Sequence, residues 1–457
     1  MSGPGPGWPA SRRSPASLLQ RLGAVVTGGL LLAQSGQAVA QELVAPELTT
    51  FEREDEPGVD GPIAVRLRPQ PAFDAIGIPL GMFRLYPRLD LGPVLDSNLL
   101  VTPTNQEFAL GLTVEPSANL TTEWSGGDFN TYAGSRIRIF PGNDTENTGA
   151  YWAGARTRLD IRHDVQLRLA AEAGSFAEDR ISNFSPIDTL EPVQFDRVIG
   201  SATLDVTLGR LRLLAGADAD RLVFHDGLSR SSPGTVIDQS GRTRTRLQGQ
   251  VRVAYDFSPA AAVFGGLTYN QRDYDVTPIV DVNGTFIPLG RDSQGGAVVG
   301  GVRIELDRLI ELRVATGMLW QNYQAPLRDV SGLYASADVI WYPTSLTTVV
   351  GALRREVAES GSIVSSGTLR TAAEVRVDHE LRRNIILSAE AEQDHFDFSG
   401  LDRSDRRVSV NFSGRYRPNR WLEFNASGRY INQESSGAQA TVDSDVVRLL
   451  LAATLRY

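Results

Sequence analysis

Apolar and polar residues alternate along nearly the whole chain from residue 83 to the C-terminus. In Arg246–Phe257, the odd-numbered positions are apolar residues or glycine, and most even-numbered positions are Arg, Gln or Asp. Because side chains point alternately to the two faces of a β-strand, this period predicts a strand with one apolar and one polar face. After a tight turn that contains Pro259, the alternation resumes over residues 261–269. The basic unit is therefore strand, tight turn, strand.

This unit recurs, and long polar connections separate the copies. The connections Phe176–Gln194 and His225–Thr243 are rich in Ser, Asp, Gly and Pro. Short and long connections alternate, and the pattern predicts about 18 antiparallel strands, within a range of about 16 to 20. The predicted strands are 83–98, 107–124, 129–140, 149–162, 164–175, 195–209, 210–224, 244–258, 260–273, 293–307, 309–323, 331–342, 345–357, 367–380, 384–397, 404–417, 420–433 and 444–457.

The direction in which the apolar face points decides the architecture. If it pointed inward, a sheet of about 18 strands would enclose a space too wide for Ala, Gly and Val to fill. If it points into lipid, the polar face lines a wet lumen, and the sheet must close because an open edge leaves unpaired backbone groups in hydrocarbon. We therefore predict an all-β fold, a transmembrane antiparallel β-barrel over residues 83–457. Its short turns are expected in the periplasm and its longer loops outside the cell. A large soluble β-sandwich is the alternative.

Aromatic residues support the membrane assignment. They bunch near the ends of strands that lead into tight turns, where a membrane barrel carries an aromatic girdle. The residues concerned are Tyr255, Phe257, Trp341, Tyr342, Tyr416, Trp421 and Tyr457.

The chain ends in the strand-like sequence VVRLLLAATLRY. Its apolar series includes Leu449, Leu451, Leu455 and the terminal ring of Tyr457. This ending resembles the C-terminal signal by which bacterial outer-membrane barrels are recognised for insertion. The resemblance implies that the barrel-insertion machinery is a partner.

The N-terminus predicts export. A basic region is followed by the short apolar stretch 22–33, and Ala38 and Ala40 form an A-x-A site with cleavage expected before Gln41. Residues 1–40 are therefore predicted to be a signal peptide, and 41–82 a Pro-rich, acidic periplasmic linker. We expect the mature protein in the bacterial outer membrane.

Charge and cysteine content exclude several function classes. The formal net charge of −9 argues against a nucleic-acid partner. The chain contains no cysteine, which excludes a disulfide framework and cysteine-based redox or zinc sites.

The stretch Val94–Thr104, VLDSNLLVTPT, resembles the early D-x-N-[IL] element of the bacterial β-barrel porin type 2 family, with Asp96 and Asn98 at the acidic and amide positions. The broader resemblance covers residues from about 83 to 457. It implies an outer-membrane channel in contact with lipid and lipopolysaccharide. Some members lie in exopolysaccharide gene clusters, which makes polysaccharide export proteins candidate partners.

A barrel enzyme of the lipase or protease type is a further alternative for the function. An outer-membrane lipase or protease needs a His with a carboxylate or Ser in reach. Of the four histidines, His225 and His395 lie near Asp residues at the long-loop end, which chance explains in a chain with 54 acidic residues. We predict no catalytic residue, cofactor or metal. The acidic stretch 394–405 is a weaker candidate for a divalent ion.

The inward face is the predicted functional surface. Both signs of charge lie on it, which predicts a wet wall and a transverse field for polar solutes. We expect a porin-like channel that passes small polar solutes or polysaccharide. A structural or assembly partner of exopolysaccharide export with a plugged lumen is the alternative. The lumen-lining candidates are Arg136, Arg138, Arg156, Arg158, Arg168, Arg212, Arg246, Arg252, Glu374, Glu390, Glu392, Arg407 and Arg415.

Overall fold

The computed structural model describes residues 62–457, except 183, 184, 186, 187, 283, 284 and 363. The predicted signal peptide, with Ala38, Ala40 and Gln41, lies outside the described residues, as does the first half of the predicted linker. Within the part of the chain that the structure describes, no helix is long and apolar enough to cross a membrane.

Eighteen long antiparallel strands, each paired with its neighbours in sequence, form one closed barrel. The predicted fold class and strand count are confirmed. The strands are β1 Phe83–Asp96, β2 Ala109–Trp124, β3 Gly127–Ile139, β4 Thr148–Arg162, β5 Val165–Ala177, β6 Gln194–Leu208, β7 Leu211–Phe224, β8 Arg244–Ser258, β9 Ala261–Tyr274, β10 Ser293–Leu306, β11 Ile310–Tyr323, β12 Val330–Thr344, β13 Thr347–Ala358, β14 Thr368–Arg382, β15 Ile385–Phe398, β16 Ser404–Tyr416, β17 Leu422–Ser436 and β18 Ser444–Arg456.

Three short strand pairings occur in addition to the 18 long strands. The three-residue strand Ile78–Leu80 turns back onto β1 and adds to the same sheet. At the long-loop end, Gly227–Leu228 pairs with Val236–Ile237, and Ile279–Val282 pairs with Thr285–Pro288. These last two hairpins lie within connections that the sequence predicts as long polar loops.

The barrel closes where β1 pairs with β18. The register runs from Arg88 opposite Arg456 to Asp96 opposite Arg448. The two backbones approach so closely at Gly92 that a Cβ there would lie 1.7 Å from the carbonyl oxygen of Leu451. Only glycine fits this contact.

The predicted apolar face is the outward face of the wall. Val253 and Leu387 expose 42% and 44% of their surface, as expected for side chains that meet lipid instead of a protein core. Six of the seven predicted girdle aromatics are also exposed, whereas Tyr342 is half-buried on the other face. An exposed apolar band of this kind matches the lipid-facing surface of a membrane barrel.

The inward face is less uniformly polar than the alternation predicts. Over β9 to β13, buried apolar side chains pack against one another inside the barrel. Gly301 makes room for the ring of Phe264, since a Cβ at Gly301 would lie 2.4 Å from Phe264 Cζ. The expectation of a wet wall on every strand is therefore wrong for this arc, because small residues there admit large rings. The cluster contains Phe264, Ala297, Val299, Ala315, Leu319, Val330, Tyr334 and Val357.

Candidate functional site

Residues 62–76, here called the N-terminal strap, lie against the inside of the short-turn end. Val65 is fully buried, and its N–H donates to Thr348 Oγ1 of β13 at 3.0 Å. Arg66 Nε lies 2.7 Å from Asp378 Oδ1 on β14. Arg68 donates to Glu380 on the same strand at 2.5 Å. The second half of the predicted linker is therefore attached to the barrel wall through charged groups that composition alone did not suggest.

The other end of the strap is held by strands β16 to β18. Arg417 Nη1 lies 2.9 Å from Asp74 Oδ1, and Arg456 Nη2 donates to the carbonyl oxygen of Phe73 at 2.7 Å. Both guanidinium groups also contact the fully buried Glu423, at 2.7 and 3.2 Å. This carboxylate orients the two arginines toward the strap. The strap thus follows the inner wall of the short-turn end from β1 to β13.

A second segment enters the barrel from the opposite end. The described residues of 178–193, which are 178–182, 185 and 188–193, are here called the inner loop, and they belong to the connection between β5 and β6. Ile181 of this loop is buried against Ile431 of β17 and Val446 of β18. Arg448 Nη1 lies 2.6 Å from Asp179 Oδ2. The loop therefore reaches the wall near the β1–β18 closure instead of projecting outward.

The Asp179–Arg448 pair is a largely buried ion pair. Burial alone would raise the pKa of the Asp179 carboxyl group. The charge and hydrogen bond of Arg448 outweigh burial and hold that pKa well below its ordinary value. Asp179 therefore stays ionised and bound at physiological pH.

Arg448 also connects the inner loop to the family motif. Asp96 Oδ2 accepts a hydrogen bond from Arg448 Nε at 2.8 Å. The Asn98 side chain donates to the carbonyl oxygens of Thr102 and Asp445, at 2.8 and 3.0 Å. Both motif side chains are fully buried. The motif therefore closes the long-loop end of the barrel and positions the arginine that holds the loop.

Glu146, which precedes β4, supports the base of the inner loop. Its two carboxylate oxygens accept from Arg180 at 2.6 and 2.8 Å, in a bidentate pair. Arg230 from the next long connection donates to the same carboxylate at 2.7 Å. Glu178 pairs in turn with Arg242 at 2.5 Å. Buried bidentate pairs of this type fix geometry as well as contributing energy.

A third segment begins at Glu359, directly after β13, and its first two residues contact arginines of β9 and of the residues before β10. Arg272 of β9 lies 2.6 Å from Glu359, and Arg291 donates to the carbonyl oxygen of Ser360 at 2.6 Å. Burial raises the pKa of Glu359, but the charges of Arg272, Arg244 and Arg291 outweigh it and lower that pKa to about 2. This side of the long-loop end is therefore covered as well.

Between the strap and the inner loop lies a cavity of about 770 Å³, here called the central cavity. It runs along β13 to β18 and β1 to β5. Eleven arginines and eight carboxylates line it, together with rings such as Tyr132 and Trp152. The arginines are Arg66, Arg88, Arg136, Arg138, Arg156, Arg180, Arg376, Arg415, Arg429, Arg448 and Arg456.

Five of the predicted lumen residues line the central cavity: Arg136, Arg138, Arg156, Glu390 and Arg415. Arg136 is bound by Glu115 at 2.7 Å, and the Arg156 guanidinium lies 5.8 Å from the centre of the Tyr132 ring.

The other predicted lumen residues contribute to the wall beyond the central cavity. Some form cross-strand ion pairs: Arg158 with Asp128 at 3.0 Å, Arg246 with Asp218 at 2.9 Å, Arg407 with Asp394 at 3.3 Å, and Glu392 with Arg370 at 3.2 Å. Arg252 lies 4.2 Å from the centre of the Phe264 ring, at the edge of the apolar cluster. Arg168, Arg212 and Glu374 are half-buried on the strands.

The cavity residues that sequence reasoning missed belong to two groups. The strap residue Arg66 and the loop residue Asp179 lie outside the alternating pattern, so the pattern does not predict that they face the cavity. Arg448 and Arg456 do lie on the polar face of the last strand, and that alternation is the signal that could have placed them.

The histidines do not form a catalytic arrangement among the described residues. His395 Nε2 lies 3.2 Å from Asp397 and 3.4 Å from Ser404 Oγ, so one ring nitrogen faces both groups. A nucleophile–base–acid triad uses both nitrogens of the ring. His225 Nε2 lies 3.0 Å from Asp196. In the acidic stretch 394–405, Asp394 and Asp405 are bound by arginines instead, and no three metal-ligating side chains converge in the described part of the chain.

Residues 70–456 match the family model described as "Putative beta-barrel porin 2". The chain belongs to this family. The family match identifies an outer-membrane β-barrel of porin type, in agreement with the closed barrel and its exposed apolar band. The predicted resemblance is confirmed over a slightly longer range than expected, because the match includes the end of the strap.

Several solved structures are similar to this member of the family. They include OpdL from Pseudomonas aeruginosa (14% identity, TM-score 0.42, covering 82% of this chain and 99% of that one). A variant of the ferric enterobactin receptor PfeA from the same organism has 8% identity, a TM-score of 0.44, and coverage of 87% and 84%. A BenF-like porin from Pseudomonas fluorescens Pf-5 has 11% identity, a TM-score of 0.43, and coverage of 82% and 99%. No curated protein matches the chain.

Proposed function

We propose that this protein is an outer-membrane channel for small polar solutes, with its passage narrowed at both ends. The central cavity of about 770 Å³, lined by charged side chains between the strap and the inner loop, carries this proposal. In this proposal the short turns and the strap face the periplasm, and the long connections and the inner loop face the exterior.

The size and boundaries of the cavity favour small solutes over polysaccharide. Binding sites for small molecules have volumes of about 300–1,000 Å³, and the central cavity falls within that range. A polymer in transit needs a continuous wide passage, whereas the strap contacts the wall at Thr348 and Asp378 and the inner loop contacts it at Arg448.

A structural role in polysaccharide export is the second candidate. The observation that favours it is the same pair of segments, since the strap and the inner loop both occupy the lumen through buried ion pairs. In that role the barrel would hold a partner at the membrane, and the lumen would stay closed. Under either function, we propose that the partners of this protein are lipopolysaccharide, the insertion machinery and export proteins.

Conductance separates the two candidates. Purified full-length protein in a planar lipid bilayer is expected to carry a small, steady current, and liposomes containing it should admit sugars of monosaccharide size but exclude dextran. A variant lacking residues 179–192 should carry more current. A correctly folded barrel that passes neither ions nor monosaccharides, with or without the inner loop, would reject the channel and favour the structural role.

A further inference from the structure

Most carboxylates of the central cavity are already bound by a partner. Asp90 accepts from Arg88 at 2.6 Å, and Glu172 accepts from the hydroxyl group of Tyr132 at 2.6 Å. Glu115, Glu146, Glu178, Asp179 and Asp378 each accept from an arginine at 2.5–2.7 Å. Only Glu390 makes no hydrogen bond or ion pair through its side chain within the described residues. The acidic side of the cavity is therefore nearly neutralised.

Two cavity arginines, in contrast, have no such partner. Neither the Arg138 nor the Arg415 guanidinium makes a hydrogen bond or ion pair within the described residues, and both side chains line the central cavity. An arginine carries its charge at any physiological pH and offers five N–H donors in a planar fork. In a partly desolvated cavity, it is unfavourable to leave the N–H donors of two guanidinium groups without acceptors, unless water or an anion accepts their hydrogen bonds.

Arg138 lies among charged groups of both signs, and these groups are already paired with one another. Its charged neighbours include Arg136 and Arg448, both of which are already bound to carboxylates at 2.7 Å and 2.8 Å. Asp179 and Glu115 are also near, but Arg448 engages Asp179 at 2.6 Å and Arg136 engages Glu115 at 2.7 Å. Arg138 lies at the end of β3 that leads to the long connections, so it marks the upper end of the cavity beside the inner loop.

Arg415 occupies the corresponding place at the short-turn end. Its charged neighbours include Arg66 of the strap, Arg417 and Arg456. Glu423 is the nearby carboxylate, and Arg417 and Arg456 share it at 2.7 and 3.2 Å. An arginine whose guanidinium has no carboxylate partner therefore lies at each end of the central cavity.

We propose that the central cavity binds small organic anions that carry a carboxylate or phosphate group, with Arg138 holding the anion at the long-loop end and Arg415 at the short-turn end. The inference rests on the proposed function for the route by which an anion crosses, but the binding site itself requires no current. Trp152 and Tyr132 line the same cavity and supply ring surfaces for the organic part of the ligand.

Calorimetric titration of the detergent-purified full-length barrel tests the site directly. Citrate and pyrophosphate serve as carboxylate and phosphate probes, and spermidine serves as a cationic probe. We expect at least one anion to bind and spermidine to bind more weakly. Arg138→Gln and Arg415→Gln should each weaken anion binding by about fivefold or more, because each removes a charge-assisted hydrogen-bonding fork. Glu390→Gln should strengthen it, since it removes the unpaired negative charge.

Arg162→Gln is the matched control. This arginine lies at the short-turn end outside the cavity, with an exposed side chain that pairs with Asp164, and its loss should leave anion binding unchanged. Heat-modifiable migration on gels verifies folding, and Arg138→Lys keeps the charge if Arg138→Gln fails to fold. Absence of anion binding, or equal binding by the wild type and both glutamine variants, would overturn the inference.

The failures of the two proposals are distinguishable. A barrel that conducts but binds neither citrate nor pyrophosphate would overturn the anion site and leave the channel in place. A barrel that binds an anion through Arg138 and Arg415 but never conducts would overturn the channel and leave the site.

Discussion

Arg448 of the last strand lies 2.6 Å from Asp179 of the inner loop, although 269 positions separate them in sequence. The same guanidinium lies 2.8 Å from Asp96 of the first strand. The Arg448 side chain therefore joins the inner loop to the β1–β18 pairing that closes the barrel. Opening the lumen and preserving the barrel depend on different contacts of this arginine.

Asp179→Asn should release the inner loop without opening the barrel. A hydrogen bond to a charged group contributes about 1.5–3 kcal/mol, so the detached state of the loop should become about tenfold or more populated. Arg448 keeps its bond to Asp96, so the barrel should stay folded. Single-channel recordings should show higher or more frequently fluctuating conductance. Glu191→Gln, an exposed change in the same loop, is the control, and an identical rise in both variants would contradict the assignment.

Arg66→Gln combined with Arg68→Gln should detach the strap from β14. The double variant leaves Asp378 and Glu380 without the contacts at 2.7 and 2.5 Å that hold the strap to that strand. We expect increased conductance and faster proteolysis within the strap, measured in liposomes. Ala72→Ser changes an exposed side chain of the same segment and should behave as the wild type. A double variant as resistant to protease as the wild type would show that the strap is held by other contacts.

Arginine on the two faces of one strand should have unequal effects. Val253→Arg places a charge in lipid and should cost about 2–4 kcal/mol near the middle of the membrane, as should Leu387→Arg. Gln250→Arg faces inward and should cost much less. Urea unfolding in lipid vesicles measures the three free energies. Similar losses for Val253→Arg and Gln250→Arg would mean that the face assignment is wrong.

The C-terminal ring should matter for assembly more than for the folded barrel. Tyr457 is 49% exposed, and its N–H donates to the carbonyl oxygen of Pro87 at 3.3 Å. Tyr457→Ala should therefore lower the amount of inserted barrel in cells and leave unfolded chain in the periplasm. Cell fractionation with heat-modifiable migration measures both pools. Wild-type amounts of inserted protein would argue against the insertion signal at Leu449, Leu451, Leu455 and Tyr457.

Mild acid should not open the long-loop end. The pKa of Glu359 is lowered to about 2 from an ordinary value of 4.5, so its contribution to stability is complete above about pH 5 and is lost as the pH falls through about 2. The lowered pKa of Asp179 has the same sign. We expect constant conductance between pH 7 and pH 5 and a rise only at much lower pH. Glu359→Gln should remove part of that acid response, and a transition near pH 6 would point to another group.

The sequence predicted the wall accurately because each strand carries its own period. The predicted turn at Pro259 lies between Ser258 and Ala261, where β8 ends and β9 begins. Alternation is a local property, so face and strand number follow from short stretches of chain. Even the closure of β1 on β18 follows, since lipid forbids a free edge.

The contents of the lumen could not be predicted in the same way. Attachment of the strap depends on Arg66 meeting Asp378, 312 positions away, and no local pattern encodes that contact. The apolar cluster inside β9 to β13 was also not predicted, because alternation shows which residues face inward but not which inward residues contact one another. Phe264 of β9 and Tyr334 of β12 belong to one cluster only because the closed sheet curves.

The Asp96–Asn98 motif has a consequence for how the barrel assembles. Its buried groups find partners at Asp445 and Arg448 on the final strand, and the Asp96–Arg448 contact spans 352 positions. Such a distant contact forms late, because most of the chain must be ordered before its loop-closure entropy is repaid. A nascent or truncated chain without β18 would leave a buried acid, a buried amide and the free edge of β1 unpaired. The buried side chains of the motif therefore find their partners only after β18 has joined the barrel.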